Sequence, residues 1–218
     1  MSEPAVGRPQ TVVAILGVGT EVGKTWTTVQ ILHHLREGGV RAVARKPVQS
    51  FAPAELGSTD AELIAAAGGE KPHDVCPAHR WYARLMAPPM AAESLGLGRI
   101  VARELLDEIR WPSGVAVGLV ETVGGVRSPM ADDADSAQFA ALIQPDRTML
   151  VADAGLGTIN SVRLAVQALD TGPVLVFLNR FDHSELHLRN REWLSSRDGF
   201  VTATDLHEVC RWLVGPPP

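Results

Sequence analysis

The stretch TVVAILGVGTEVGKT, residues 11–25, decides the fold of this chain. Its first part is a short run rich in β-branched residues, which predicts a buried strand over 11–16. A glycine-rich turn follows, and from residue 24 apolar side chains recur with helical spacing until the glycine pair at 38–39, which predicts a helix that ends there. A strand, a glycine-rich turn and a helix in this order are the context in which such a turn binds phosphate.

The turn itself, GVGTEVGKT, has the composition of a phosphate-binding loop. Its glycines allow successive backbone N–H groups to point at one anion, and the N-terminus of the following helix adds a partial positive charge. The Lys24 ammonium is expected to reach the β- and γ-phosphates of ATP, and the Thr25 hydroxyl to ligate Mg²⁺. The expected nucleotide-binding residues of this segment are Gly19, Thr20, Glu21, Val22, Gly23, Lys24 and Thr25; no role is assigned to position 26, which is Trp26.

Apolar runs and helical patterns alternate along the rest of the chain. Strands are predicted over 41–44, 115–120, 149–152 and 174–178, and helices over 98–110, 136–143, 160–169 and 204–213. Ser58 or Thr59 is a candidate cap for one more helix, and the glycine- and proline-rich segment 68–89 is predicted to be a loop with brief helical pieces. Continuous apolar strands that alternate with helices predict an α/β fold with a mostly parallel sheet and helices on both faces.

Length and composition narrow the classes of function. The chain has 218 residues, which suits one domain, expected over 11–215 after a flexible tail at 1–10. The net charge of -5 argues against a nucleic-acid partner, and no apolar run approaches the roughly 20 residues that cross a bilayer, so no membrane partner is expected either. The first ten residues lack the apolar core of a secretion signal, and the two cysteines lack metal-type spacing, so reduced thiols in a cytoplasmic protein are expected.

Two carboxylates are candidates for holding Mg²⁺ beside Thr25. Glu121 ends the predicted strand 115–120, at the edge where open α/β sheets bind ligands. Asp60 follows the second predicted strand. Each also has a purely structural interpretation, because an acid at a strand end can simply be solvated, and an acid at a helix start can serve as a cap or interact with the helix dipole.

A series of motifs, in order between about residues 11 and 180, resembles the dethiobiotin synthetase family. The motifs are the loop 17–25, KPVQS at 46–50, STDA at 58–61, MAP at 86–88, VETVGG at 120–125, LGTINS at 156–161 and the predicted strand that ends in Asn179. The resemblance implies a magnesium- and ATP-dependent ligase of the P-loop ATPase class, acting as a homodimer in biotin biosynthesis. Such an enzyme forms the ureido ring of dethiobiotin from 7,8-diaminononanoate, CO₂ and ATP.

The resemblance also implies roles for particular residues. Its catalytic residues are Lys24 and Lys46, on two sides of the reacting anions, with Thr20 and Ser50 as hydrogen-bond donors to the diamine or the carbamate. Its metal ligands are Thr25, Asp60 and Glu121, and Glu121, Gly124 and the adenine-reading Asn179 complete the nucleotide site. The substrate site includes Ser50 and the backbone of Gly157, Thr158, Ile159 and Asn160, which the second subunit supplies. Simpler interpretations remain for three of these residues: a surface lysine for Lys46, a helix cap for Asn160 and a turn residue for Asn179.

Three residues depart from the family pattern near the expected substrate. Thr122 stands where the family has Gly and is expected to add bulk beside the γ-phosphate, Ser161 replaces a His, and Pro89 stands where a His often occurs. A paralogue that acts on a different amine or carboxylate therefore remains an alternative. A partitioning or regulatory switch ATPase of the related deviant-loop group is another, although those proteins usually carry an extra lysine early in the loop, where this chain reads VGT at 18–20.

Overall fold

The fold is known from a computed structural model, which describes residues 7–52 and 57–215. The strands are β1 (Thr11–Gly17), β2 (Ala42–Arg45), β3 (Gln49–Ser50), β4 (Trp81–Tyr82), β5 (Val117–Glu121), β6 (Pro129–Ala131), β7 (Ala134–Asp135), β8 (Arg147–Asp153), β9 (Val174–Asn179) and β10 (Val201–Ala203). The helices are α1 (Lys24–Glu37), α2 (Asp60–Gly68), α3 (Pro72–Val75), α4 (Pro88–Ser94), α5 (Ala102–Asp107), α6 (Ser136–Ile143), α7 (Thr158–Gln167), α8 (Glu185–Glu192) and α9 (Leu206–Val214), with a 3₁₀ turn at Ala78–Arg80 and a π turn at Trp193–Arg197.

A six-stranded sheet with the order β10-β9-β8-β1-β5-β2 forms the centre of the fold, and every pairing in it is parallel. β1 lies between β5 and β8, with Ile15 opposite Glu121 on one side and Gly17 opposite Val151 on the other. The carboxyl ends of these three strands therefore meet at one edge of the sheet, where a parallel sheet binds its ligands. The predicted fold class is confirmed.

Helices cover both faces of this sheet because the side chains of each strand alternate between the faces. Val13 and Ile15 of β1 point into a core that α1, α2 and α9 complete. Ala14 and Leu16 point into a second core, which includes residues of α6 and α7. Burial on both faces explains why β1 reads as a continuous apolar run rather than as an alternating pattern.

The helix predicted over 98–110 is much shorter, since α5 spans only Ala102–Asp107. The backbone N–H of Ile100 donates to the Asp132 carboxylate at 2.7 Å, and that of Ala102 donates to Asp133 at 2.9 Å. These two carboxylates cap the backbone from a distant part of the chain, so the residues before Ala102 stay extended. The helical apolar spacing in this segment was real, but a long-range contact set the start of the helix.

Several elements carried no recognisable pattern. The β3–β4 pair, the β6–β7 hairpin, α8 and β10 were not predicted, and α7 and α9 begin two residues away from the predicted starts. All five of the unpredicted strands have only two or three residues, which is too short for a period to be visible. Among the helices of the described residues, none has the length and apolarity that crossing a membrane requires.

Part of the predicted N-terminal tail lies against the sheet. Pro9 is buried and packs on β5, where a side-chain carbon added to Gly118 would come within 2.6 Å of the proline ring. Arg8 forms an ion pair with Asp146 at 2.9 Å. Residues 1–6 of the predicted tail, and 216–218 at the other end of the chain, lie outside the described residues.

Candidate active site

The loop between β1 and α1 presents its backbone amides as a group. The Val18 N–H donates to the Val151 carbonyl of β8 at 3.0 Å, which anchors the start of the loop to the sheet. Glu21 and Gly23 adopt left-handed backbone conformations, with φ of 60° and 93°, and these conformations curl the chain. Within the described residues, the N–H groups from position 19 to position 26 have no protein acceptor. Such a set of free amides at a helix N-terminus is suited to binding an anion.

Gly17 is required for this compact loop. A Cβ on Gly17 would lie 2.9 Å from both the Gly19 carbonyl oxygen and a methyl group of Val22, which is closer than real side chains approach. The tight packing also brings the Lys24 ammonium back over the loop, where it donates to the Gly19 carbonyl at 3.2 Å and to the Gly124 carbonyl at 2.7 Å. Burial, reinforced by the positive charge of Lys46, lowers the pKa of Lys24 to about 8.

Glu121 is the centre of a buried hydrogen-bond network at the end of β5. One of its carboxylate oxygens accepts from the Thr25 hydroxyl and from the Lys46 ammonium, both at 2.7 Å. The other oxygen accepts from the Thr28 hydroxyl at 2.6 Å. Lys46 in turn contacts the Asp60 carboxylate at 2.7 Å. The structure therefore brings together residues that lie up to 96 positions apart in the sequence, counted from Thr25 to Glu121.

The charges in this network support each other. Burial alone would lower the pKa of Lys46, but the carboxylates of Glu121 and Asp60 outweigh that effect and raise it above its ordinary value. Burial opposes ionisation of Asp60, yet the neighbouring Lys46 ammonium lowers the pKa of Asp60. Lys46 is thus held as an ammonium between two carboxylates, and the interpretation of Lys46 as a plain surface lysine is wrong, because only 3% of it is exposed.

A cavity of about 1070 Å³ opens above this network. The predicted site residues that line it are Thr20, Glu21, Gly23, Lys24, Thr25, Lys46, Ser50, Asp60 and Gly124. The other predicted residues do not line it: Glu121 lies fully buried beneath it, and Gly19, Val22, Asn179 and the segment 157–160 are not part of its wall. Thus most of the predicted site converges on one cavity of this chain, while the predicted carboxylate-binding segment does not.

Asp60 owes its position to a well-formed helix start. Thr59 is the N-cap of α2, and its side chain and that of Glu62 form a reciprocal capping box. Asp60 is the first residue of α2, which agrees with the expectation of a first-turn acid, but its carboxylate is paired with Lys46. The interpretation of Asp60 as a first-turn acid is therefore confirmed, while its role as a ligand of Mg²⁺ stays a prediction. Ser50, on the neighbouring β3, donates its hydroxyl to the Met86 carbonyl at 2.6 Å.

Asn179, at the end of β9, supports the loop from below. Its side-chain amide donates to the Val22 carbonyl at 2.9 Å, and a Cβ on Gly23 would come within 2.2 Å of that amide nitrogen. The next residue, Arg180, reaches the cavity wall, donates to the Glu21 carbonyl at 2.8 Å and pairs with Asp153. Adenine recognition by Asn179 stays a prediction, whereas a supporting contact to the loop is present.

Thr122 corrects an expectation from the sequence. The residue is fully buried, and its hydroxyl donates to the Ile15 carbonyl at 3.2 Å, within the sheet. Thr122 is not part of the cavity wall, although its neighbours Val123 and Gly124 are. The expected bulk beside the γ-phosphate is therefore absent, because a strand-end side chain at this position turns into the fold rather than towards the ligand.

The segment predicted to hold the substrate carboxylate begins α7. Gly157 is the N-cap, with φ of 90°, and the preceding Leu156 is 92% exposed. The Thr158 hydroxyl is buried and has no partner among the described residues. Since α7 starts at Thr158, Asn160 lies inside the helix, and the interpretation of Asn160 as a helix cap is wrong.

Sequence reasoning missed three residues of the site: Thr28, Gln49 and Arg180. Thr28 is fully buried and binds Glu121, and its position one helical turn after Lys24 was the available signal. Gln49 belongs to the KPVQS motif, and Arg180 follows Asn179 directly. In each case a recognised residue lay nearby, but the direction of the side chain depends on the folded backbone.

The class of protein follows from three features: the parallel sheet, the loop with free amides and the two lysines beside it. Together they define a P-loop nucleotide-binding protein. A family model described as an AAA domain matches residues 11–197. Among curated proteins, the ATP-dependent dethiobiotin synthetase BioD of Haloferax mediterranei is 34% identical over 78% of this chain and 72% of its own length. The ATP-dependent dethiobiotin synthetase BioD of Anaeromyxobacter sp. strain Fw109-5 is 36% identical over 71% of this chain and 69% of its own length. The chain belongs to the dethiobiotin synthetase family of P-loop ATPases.

Solved structures with low sequence identity share the fold. Chloroplast FtsY from Physcomitrella patens superposes with a TM-score of 0.54 at 16% identity, covering 97% of this chain and 68% of that one. A plasmid partition protein from Borrelia burgdorferi, solved with AMPPNP, gives a TM-score of 0.53 at 13% identity, covering 91% and 88%. At these identities the likeness concerns the fold alone.

Proposed function

We propose that this chain is an ATP-dependent dethiobiotin synthetase, which forms the ureido ring from 7,8-diaminononanoate, CO₂ and ATP in biotin biosynthesis. In this reaction one amine takes up CO₂ as a carbamate, and a carbamate oxygen attacks the γ-phosphorus of ATP, with ADP as the leaving group. The second amine then attacks the carbonyl carbon, and inorganic phosphate leaves as the ring closes. The family membership of the chain supports this proposal together with the geometry of its cavity.

The observation that carries the proposal is the position of two lysines in one cavity. Lys24 lies on the phosphate-loop side, and Lys46 lies on the side of β3 and α2. The reaction must hold two anions, the carbamate and the γ-phosphate, in line and offset their repulsion. An ammonium on each side of one cavity meets that requirement, whereas a protein that only binds nucleotide needs just the phosphate-loop lysine, Lys24.

The remaining side chains fit supporting roles. The loop amides and Lys24 bind the phosphates, and Asn179 holds the loop in shape through Val22. Ser50 and Thr20 lie on the cavity wall as candidate hydrogen-bond partners of the diamine or carbamate. Lys46, which its two carboxylates keep protonated, stabilises the negative charge on the reacting oxygens.

The donor atoms available for a magnesium ion are the hydroxyl and carboxylate oxygens of Thr25, Asp60 and Glu121. One hydroxyl and two carboxylates supply the hard oxygen ligands that Mg²⁺ prefers, and Thr25 and Glu121 are already in direct contact. Within the described residues, no group of three or more His, Cys, Asp or Glu forms a separate metal site. Mg²⁺ bound with ATP would offset phosphate charge.

We further propose a cytoplasmic homodimer in which the segment 157–160 of one copy completes the cavity of the other. This segment is not part of the cavity wall of its own chain, and Leu156 beside it is 92% exposed. Light scattering gives the oligomeric state. Mixing a Lys24→Ala copy with a copy altered in the segment 157–160 is expected to recover activity if the copies share sites, and no recovery would contradict the shared site.

The function is tested by phosphate release with ATP, Mg²⁺, bicarbonate and the diamine, with each component left out in turn. The expected result is release that requires all four, with dethiobiotin as the product by mass spectrometry. Release that requires an amine but accepts another amine better would favour a paralogue. Release that ignores the diamine would contradict the proposal and favour a switch ATPase.

A further inference from the structure

Gln49 is a buried residue of the cavity wall with one unused hydrogen-bond donor. The residue lies on β3 between Lys46 and Ser50 in sequence, and only 2% of it is exposed. Its side-chain oxygen accepts from the Ala61 N–H at 3.1 Å, which fixes the orientation of the carboxamide. Its nitrogen Nε2 is buried and has no acceptor among the described residues.

The other donors of this segment are already engaged. Lys46 shares its ammonium between Glu121 and Asp60, and Ser50 donates its hydroxyl to Met86. Buried side-chain donors are normally paired, and leaving one without an acceptor is costly. Because Gln49 also lines the cavity, a bound ligand is the available source of that acceptor.

We propose that Gln49 is a substrate-binding residue, whose Nε2 donates to an oxygen of the carbamate or of its phosphorylated form. An oxygen ligand is indicated because the nitrogen can only donate, and an anionic one because Lys46 lies on the same wall. Gln49 supplies this donor without adding charge and fastens the start of α2 through Ala61. The proposal rests on the proposed function, since it assigns part of that acceptor site.

Two substitutions separate binding from a purely structural role. Gln49→Glu keeps an oxygen for the Ala61 N–H but removes the donor, while Gln49→Leu removes both. Both variants are expected to lower kcat/KM for the diamine by about 10- to 100-fold at saturating ATP, the usual effect of losing a hydrogen bond to a charged group. The affinity for ATP is expected to stay within about twofold, since the loop is untouched. Gln167→Glu, at an exposed position at the end of α7, controls for the added charge.

The outcomes are distinct. If Gln49→Leu loses activity and thermal stability together while Gln49→Glu behaves like Gln167→Glu, then Gln49 only tethers α2 and the proposal is wrong. Equal losses in ATP affinity and in diamine kcat/KM would also contradict it. A wild-type protein without diamine-dependent phosphate release would instead contradict the proposed function, and this inference with it.

Discussion

The protonation of Lys24 gives the nucleotide site a testable pH dependence. Burial and the nearby positive charge of Lys46 lower the pKa of Lys24 to about 8, against the weaker opposing influence of Glu121 and Asp60. The ammonium form is the one that attracts phosphate, so raising the pH through this value removes the binding-competent state. ATP affinity of the free protein is therefore expected to fall as the pH rises.

The size of the effect follows from the fraction of protonated Lys24. With a pKa of about 8, roughly nine-tenths of the free protein carries the ammonium at about pH 7, and about one-tenth does at about pH 9. The apparent affinity scales with the competent fraction, so the dissociation constant is expected to rise about tenfold over this range. Bound phosphate raises the pKa of Lys24. At about pH 8.5, just above the pKa of the free protein, ATP binding is therefore expected to take up protons.

A titration with a non-hydrolysable ATP analogue, at constant ionic strength and saturating Mg²⁺, measures this dependence. Calorimetry in buffers of different ionisation enthalpy measures the proton uptake. Lys24→Ala is the matched control: it should bind more weakly throughout and lose the dependence on pH. A flat profile in the wild type between about pH 7 and pH 9, or the same slope in Lys24→Ala, would refute the assignment of the titration to Lys24.

Three further substitutions test other parts of the site. Lys46→Ala is expected to reduce turnover at least 10²-fold, which is typical of losing a charge that stabilises the transition state, with a much smaller change in ATP affinity. Comparable changes in turnover and in ATP affinity would give Lys46 a binding role instead. Thr28→Val frees one oxygen of Glu121, so the Mg²⁺ concentration that gives half the maximal rate should change several-fold. Thr28→Ser, which keeps the hydroxyl, should retain the wild-type Mg²⁺ dependence. An unchanged Mg²⁺ dependence in Thr28→Val would mean that Thr28 does not position the carboxylate. Thr122→Gly should leave kcat/KM within about twofold. It should lower the free energy of unfolding, measured by denaturant titration, by about 1–2 kcal/mol, because a buried hydroxyl contact is lost and a glycine is introduced. A large gain in kcat/KM would show that Thr122 obstructs the substrate after all.

The sequence predicted the parts of this site that depend on local geometry. The loop 17–25 lies between a strand and a helix as expected, and Glu121 ends β5 beside it. The loop prediction succeeds because a strand, a turn and a helix that are adjacent in sequence are also adjacent in space. The Glu121 prediction succeeds because the carboxyl ends of parallel strands meet at one edge of the sheet. The loss of most of the helix 98–110 shows the opposite case, in which carboxylates some 30 residues away decided the backbone.

The direction of individual side chains could not be predicted. Thr122 and Gly124 both follow β5, yet Thr122 turns into the sheet while Gly124 joins the cavity wall. Gln49 was visible as part of a motif, but only the folded backbone decides that its amide oxygen accepts from the Ala61 N–H of α2 while its nitrogen meets no acceptor among the described residues. Sequence spacing places residues at an edge of the sheet, and only the folded backbone decides which of them face the ligand.

Charge balance in the cavity gives the reason for a separate cation. Two lysines, Lys24 and Lys46, lie with two carboxylates, Asp60 and Glu121, so the formal charges of the four groups cancel. Lys46 is committed to the carboxylates, and Lys24 loses its proton at mildly alkaline pH, so the chain alone offers little net positive charge to a triphosphate. The uncharged loop amides supply direction, and the proposed Mg²⁺ would offset the remaining negative charges of ATP. A cavity whose own charges cancel in this way leaves the charge of the triphosphate to be offset by a cation that binds together with the nucleotide, and this requirement follows from the pairing of Lys46 with both carboxylates rather than from the phosphate loop.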